Sequence, residues 1–231
     1  KIFEKNNLTY WPMGGTMLGV VRHNAFIPWD DDLDISMMAE DKEKLFEIFE
    51  KEEEFVIEEV YWSDGLLLRC PRIRYKDESK NGCIDIFLWE RADNEPTGDR
   101  ELWAKRQKYV QMKEQAFQKL KPSLHKTLFA GEPITDLHDK ELIDKLFNDI
   151  YKQQRQECQK SGNTIYGQID MWFEAGRWVG VYAKEDMLPF TTMKFETLDM
   201  PLPNHYDKFL TAQYGDWLAL PSKVSPKHTR F

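Results

Sequence analysis

Gly14-Gly15-Thr16-Met17-Leu18-Gly19-Val20-Val21-Arg22-His23, followed after four residues by Pro28-Trp29-Asp30-Asp31-Asp32-Leu33-Asp34-Ile35, is the stretch from which the fold is read. In an extended strand alternate side chains share a face, so Asp30, Asp32 and Asp34 are expected on one side and Leu33 and Ile35 in a core. Upstream, Asn7–Tyr10 reads as a short extended lead, and the Gly-Gly pair as a turn whose bare backbone approaches a ligand closely. Downstream, Glu40–Glu54 carries Leu45, Phe46 and Phe49 at helical spacing. Short β-like runs follow at Phe55–Val60, Leu66–Arg69, Arg72–Tyr75 and Cys83–Leu88. Strands and a helix interleaved in this way predict an α+β fold, a small mixed sheet flanked by helices.

Asn94-Glu95-Pro96-Thr97-Gly98 is a turn-rich break. Beyond it, Asp99–Leu120 and His138–Lys160 read as long charged helices, Ser161–Met200 as irregular strand-like chain, and His205–Leu218 as a closing helix. Residues 1–92 are accordingly expected to form an N-terminal α/β core. Residues 93–231 are expected to form a largely helical insert and a C-terminal elaboration packed on it, in one continuous domain.

Composition narrows the function. The 231 residues carry 40 acidic against 32 basic side chains, a net charge of −8, which does not suggest a protein built to coat nucleic acid. No apolar run reaches the ~18–20 residues of a membrane-spanning helix. Three cysteines, Cys70, Cys83 and Cys158, with no C-x-x-C pair, argue against a disulfide framework and for a reducing compartment. The chain opens on Lys1 with no signal-peptide pattern behind it and is read as starting inside a longer frame.

The acidic run suggests chemistry. Same-face strand neighbours lie about 7 Å apart, close enough for two carboxylates to grip one cation. Three like charges held on one face call for such a cation, and all-oxygen ligation favours Mg²⁺, Mn²⁺ or Ca²⁺. A calcium loop of EF-hand type fails, because Ile35 stands where its Gly is needed and Asp41 where its bidentate Glu is needed. Gly14-Gly15-Thr16 is neither a P-loop nor a dinucleotide fingerprint. Set before an Asp-x-Asp strand, however, it is a phosphate cradle beside a metal site, the pairing that phosphoryl or nucleotidyl transfer requires. Asp85, alone in the apolar run Cys83-Ile84-Asp85-Ile86-Phe87-Leu88, is the third carboxylate, either sharing the metal or taking a proton.

These residues carry a resemblance. Gly14–His23, continued by Phe26-Ile27-Pro28-Trp29 and Asp30–Ile35, resembles the signature of the LicD family, which includes bacterial phosphorylcholine transferases and is related to fukutin and the fukutin-related protein. Ile84-Asp85-Ile86-Phe87, Tyr214-Gly215-Asp216 and Leu220-Pro221 are shorter echoes of it; residues 95–200 show none. The resemblance implies a nucleotidyltransferase-like fold and a metal-dependent phosphotransferase. Such an enzyme moves phosphocholine or a similar phospho-alcohol from a CDP-linked donor to a hydroxyl of a glycan or lipid-linked sugar. It implies Asp32, Asp34 and Asp85 as catalytic and metal-binding residues, with Mg²⁺ or Mn²⁺ as the cofactor.

Gly14, Gly15 and Thr16 are then expected at phosphate oxygens and Arg22 at the leaving CMP, since a guanidinium fork suits phosphate. Arg72, Arg74 and Lys76 are second candidates for that charge. His23 is a candidate phosphate contact, and His228 a residue folding back over the site. Asp31, on the opposite strand face, is expected to be dispensable. Trp11 and Trp29 are read as core, and Trp172 with Phe173 stays open as an aromatic wall for a quaternary ammonium. Two rival functions remain, nucleotidyl transfer from an NTP and a non-catalytic glycan-binding or regulatory module. The expected setting is cytoplasmic, peripheral at a membrane and acting on a cell-surface polysaccharide.

Overall fold

The computed structural model describes residues 1–30, 32–63, 67–92, 99–158, 164–166 and 181–220. In chain order the elements are α1 (Ile2–Lys5), β1 (Tyr10–Pro12), α2 (Gly14–His23), β2 (Leu33–Met38), α3 (Lys42–Phe49), β3 (Phe55–Trp62), β4 (Leu68–Tyr75) and β5 (Cys83–Ala92). They continue with α4 (Asp99–Leu120), β6 (Ala130–Glu132), α5 (Leu137–Cys158), β7 (Thr164–Tyr166), β8 (Val181–Ala183), α6 (Lys184–Met187), β9 (Thr191–Phe195), β10 (Leu198–Leu202) and α7 (Tyr206–Tyr214). The fold is α+β. Two compact units form: the first from Lys1–Ile57, Arg72–Trp89 and the chain from Tyr182 onward, the second from Glu58–Pro71 and Glu90–Val181.

In the first unit the strand order is β1-β2-β5-β4. β1 runs antiparallel to β2, β2 parallel to β5, and β4 antiparallel to β5, so the sheet is mixed. Ile35, Ser36, Met37 and Met38 are buried along β2. The Trp89 indole N–H donates to Ser36 Oγ (2.9 Å), whose hydroxyl meets Met13 Sδ (3.3 Å), which satisfies the polar groups of this interior. Trp11, 1% exposed, packs edge-on against Trp89 and stacks on Phe190, so it is core as expected. Phe209 of α7 stacks on Tyr182 at 3.6 Å and reaches Trp89, which ties the closing helix to the same core.

Two expectations change here. Gly14-Gly15-Thr16 is not a free loop but the first turn of α2, entered from Met13. Gly14 opens it at φ +55°, a conformation costly for other residues. The Leu66–Arg69 and Arg72–Tyr75 runs belong, from Leu68 on, to one strand that passes through Pro71, whose fixed φ is compatible with extended chain.

α2 ends at Asn24, left-handed at φ 51°, whose N–H returns to Val20 O. Its interior Gly19 meets the returning backbone: a Cβ there would stand 2.6 Å from Ala25 O and 3.1 Å from Ile27 N. Gly19→Ala should therefore cost about 2–3 kcal/mol despite the roughly 1 kcal/mol that Ala gains in helix propensity. Urea unfolding measures it, and an unchanged midpoint would refute the close packing.

The second unit has its own core of Tyr61, Tyr109, Phe117, Phe129, Ile143 and Phe147, with other apolar side chains of α4 and α5 around them. β6 pairs the end of β3, and Gly131, at φ +86°, lies where a Cβ would fall 2.8 Å from the Trp62 ring. Buried Lys113 donates to Leu67 O and lies over the Phe147 ring. Asp144 receives the Tyr61 hydroxyl, Arg69 and Lys140. His125, Asp136 and Asp139 also converge. Both Asp139 oxygens accept backbone N–H groups, from His125 (2.9 Å) and Lys126 (2.8 Å), so this cluster caps the entry to α5. No described helix is long and apolar enough to cross a membrane.

Candidate active site

Strand register builds the site. Asp34 on β2 is paired with Asp85 on parallel β5, and Asp85 with Arg72 on antiparallel β4. One row across three strands therefore reads acid, acid, base. Arg72 grips Asp85 with both arms, Nε to Oδ1 at 2.6 Å and Nη2 to Oδ2 at 2.7 Å. The side chains are 16% and 13% exposed, so this bidentate pair is largely shielded from water.

Asp34 has no such compensation. Burial pushes its carboxyl up to about 8, reinforced by the charges of Asp32, Asp85 and Asp30, while Arg72 pulls the other way. Three carboxylates thus crowd Asp34, with Arg72 opposing them. The Asp34 backbone N–H donates to Thr16 Oγ1 at 2.8 Å, pinning the start of β2 to the first turn of α2. Gly15 faces Asp30: a Cβ there would stand 2.4 Å from Asp30 Oδ2. Gly14 faces Asp34 Oδ2, Gln213 Nε2 and Tyr214 Oη, at 3.8, 3.6 and 3.9 Å from the point where a side chain would begin.

The structure thus brings together Asp32, Asp34, Asp85, Gly14, Gly15, Thr16 and Arg72. The alternation argument expected one strand face to carry Asp30, Asp32 and Asp34, and the structure corrects this, because only Asp34 of the three lies on β2. β2 starts only at Leu33, after a turn in which Asp30 N–H bonds Ile27 O, so Asp30 and Asp32 come from the segment leading into the strand. Thr16 is buried and its oxygen is engaged by Asp34, which makes it a brace between motif halves. Arg22 and His23 lie in the last turn of α2, eight or more residues and about 12 Å of helix rise from Gly14. Arg72, on the row itself, is the guanidinium that the fold sets beside the carboxylates. Arg74 lies two residues further along β4, opposite Cys83, and donates to Tyr75 O. Asp31, Trp172, Phe173 and His228 lie outside the described residues.

Sequence reasoning gave no role to Gln213 and missed how Tyr214 joins the cluster. Burial pushes the Tyr214 phenol up, and the charges of Asp30, Asp34 and Asp32 add to that, so it is protonated at neutral pH. Burial raises the Cys83 thiol to about 11, against the pull of Arg72 and with the carboxylates adding to the rise. The donor set is all carboxylate oxygen with surplus negative charge, which suits a hard divalent cation better than a thiolate- or imidazole-loving metal.

Comparison with known proteins agrees with this architecture. The family model described as LicD/FKTN/FKRP, nucleotidyltransferase domain, matches residues 7–134. The Haemophilus influenzae lipopolysaccharide cholinephosphotransferase LicD is 25% identical over 97% of this chain and 87% of its own length. An uncharacterized Rickettsia prowazekii protein is 36% identical over 41% of this chain, a match spanning 31% of that protein. The mouse ribitol 5-phosphate transferase FKRP is 27% identical over 52% of this chain, 24% of its own length.

Proposed function

The chain belongs to the LicD family, and from that premise we propose that it is a phosphotransferase moving a phospho-alcohol from a CDP-linked donor to a hydroxyl of a glycan or lipid-linked sugar. Phosphocholine is the group transferred in this reading, as the name of the Haemophilus relative has it. The supporting observation is the carboxylate row. Burial and the charges of Asp32, Asp85 and Asp30 push the Asp34 carboxyl up to about 8, the mark of a crowded carboxylate cluster whose surplus negative charge a bound cation would relieve.

Asp32 and Asp34, with Asp85 adjoining, would hold Mg²⁺ or Mn²⁺, which when bound supplies charge neutralisation to the donor diphosphate. The chain's own residues do the rest. Gly14 and Gly15 keep the start of α2 bare so that phosphate oxygens approach its backbone. Arg72, fixed by Asp85, sets a guanidinium beside the charge developing on the departing CMP. In the transfer the sugar oxygen bonds to the β-phosphorus, the bond from that phosphorus to the CMP oxygen breaks, and CMP leaves with the electron pair. Each Asp85 oxygen keeps a second lone pair beyond its bond to Arg72. That is enough to join the cation's ligands or to take the hydroxyl proton. The proposal includes action at the cytoplasmic surface of a membrane.

The test is product analysis with CDP-choline, CDP-ribitol, CDP-glycerol, CTP or ATP, each with and without Mg²⁺ or Mn²⁺ and a glycan acceptor. Cation-dependent release of CMP from a CDP-alcohol is the expected result. Pyrophosphate released from an NTP would replace this reading with nucleotidyl transfer. No turnover of any donor would favour a binding module.

A further inference from the structure

We propose that the last turn of α7 completes the donor site, with Gln213 and Tyr214 donating hydrogen bonds to oxygens of the transferred phosphoryl group seated on Gly14. The proposal rests on the transferase reading above. Three polar atoms from two parts of the fold, the end of α7 and the start of β2, converge there: Gln213 Nε2, Asp34 Oδ2 and Tyr214 Oη, at 3.6, 3.8 and 3.9 Å from the position a Gly14 side chain would take. Gly14, at φ +55°, keeps that position empty of a side chain.

Among the described residues neither the Gln213 amide nor the Tyr214 hydroxyl has a hydrogen-bond partner, and both residues are only partly buried, so each group is open to a ligand. A phenol and an amide N–H are donors at neutral pH, and phosphoryl oxygens only accept. Because Asp34 of the acidic cluster faces the same point, the oxygens seated there belong to the phosphorus under attack.

Packing anchors α7 to the core of the first unit. Phe209 and Leu210 are buried, the Phe209 ring stacks on Tyr182, and α7 stops at Gly215 (φ +70°) directly after Tyr214. At the other end of α7, Asp186 accepts from His205 Nδ1 at 3.0 Å and from Lys208 Nζ at 2.5 Å.

The experiment compares the full chain with Tyr214→Phe and Gln213→Ala in CMP release from the CDP-alcohol that the wild type turns over, alongside CMP affinity and thermal midpoint. A lost hydrogen bond to a charged group predicts a roughly ten- to hundredfold fall in kcat/KM for each variant. The acceptor KM and CMP affinity should stay within about twofold of wild type, because CMP lacks the transferred phosphoryl group. Wild-type rates in both variants would overturn the inference and leave the transferase reading standing, and so would an equal loss of CMP affinity. A wild type inert toward every CDP-alcohol would overturn the transferase reading, and this inference with it. Should Tyr214→Phe lower the midpoint substantially, Gln213→Ala decides.

Discussion

Asp34→Asn is expected to lower cation-dependent transfer by about 10³ or more, equivalent to about 4 kcal/mol of transition-state stabilisation, while stabilising the metal-free protein at pH 8. Both effects have one source. Asp34 titrates near 8 in the fold because burial and the surrounding carboxylates disfavour its charge, whereas in the unfolded chain an Asp titrates near 3.9. Between those values the folded state holds a proton that the unfolded state has released. Metal-free stability therefore falls as pH rises through that window, by up to about 1.4 kcal/mol per pH unit. Asparagine has no such proton to lose. Thermal midpoints of the metal-free proteins from pH 5 to 8 should converge at the acid end and separate at the alkaline end, with the variant higher. Parallel profiles would count against a buried, uncompensated Asp34.

Arg72→Met is expected to cost about 3–5 kcal/mol, because it leaves the Asp85 carboxylate shielded from water without its partner. The same change removes the cation that pulls the Asp34 pKa down, so transfer should fall as well. Adding Asp85→Asn to Arg72→Met should recover part of the stability, since the pair is then removed as a unit. Urea unfolding of both single variants and the double measures the coupling. Strictly additive losses would mean that the bidentate contact contributes nothing beyond its separate halves.

How much of this was legible follows from what each feature depends on. The helix over Asp99–Leu120 matches its expected span, and the second lies within two residues of its expected ends, because long charged stretches with helical spacing report their own periodicity. An isolated Asp85 in an apolar strand was conspicuous from chemistry alone. Its clamp by Arg72 was not, because that depends on which residues of β4 and β5 face each other, and register is a property of pairing. The start of α2 was hidden by its own residues. Two glycines are poor helix formers, and only the tertiary setting, with Asp34 N–H on Thr16, makes them a first turn. Gln213 and Tyr214 lie about 180 residues from Asp34; Tyr214-Gly215-Asp216 stands out as a family echo, but which of these side chains turns to the site depends on how α7 packs, which no local spacing reports.

The central claim is that the cluster around Asp34 is a divalent-cation site. The most direct measurement is a calorimetric Mn²⁺ titration of the full chain at pH 7, in two buffers of different ionisation enthalpy, with Asp34→Asn as control. A group titrating near 8 is about nine-tenths protonated at pH 7, and binding to a carboxylate must displace its proton. The account predicts release of close to one proton per bound ion, abolished in the variant. Binding with no proton release, or binding that the variant retains in full, would contradict it.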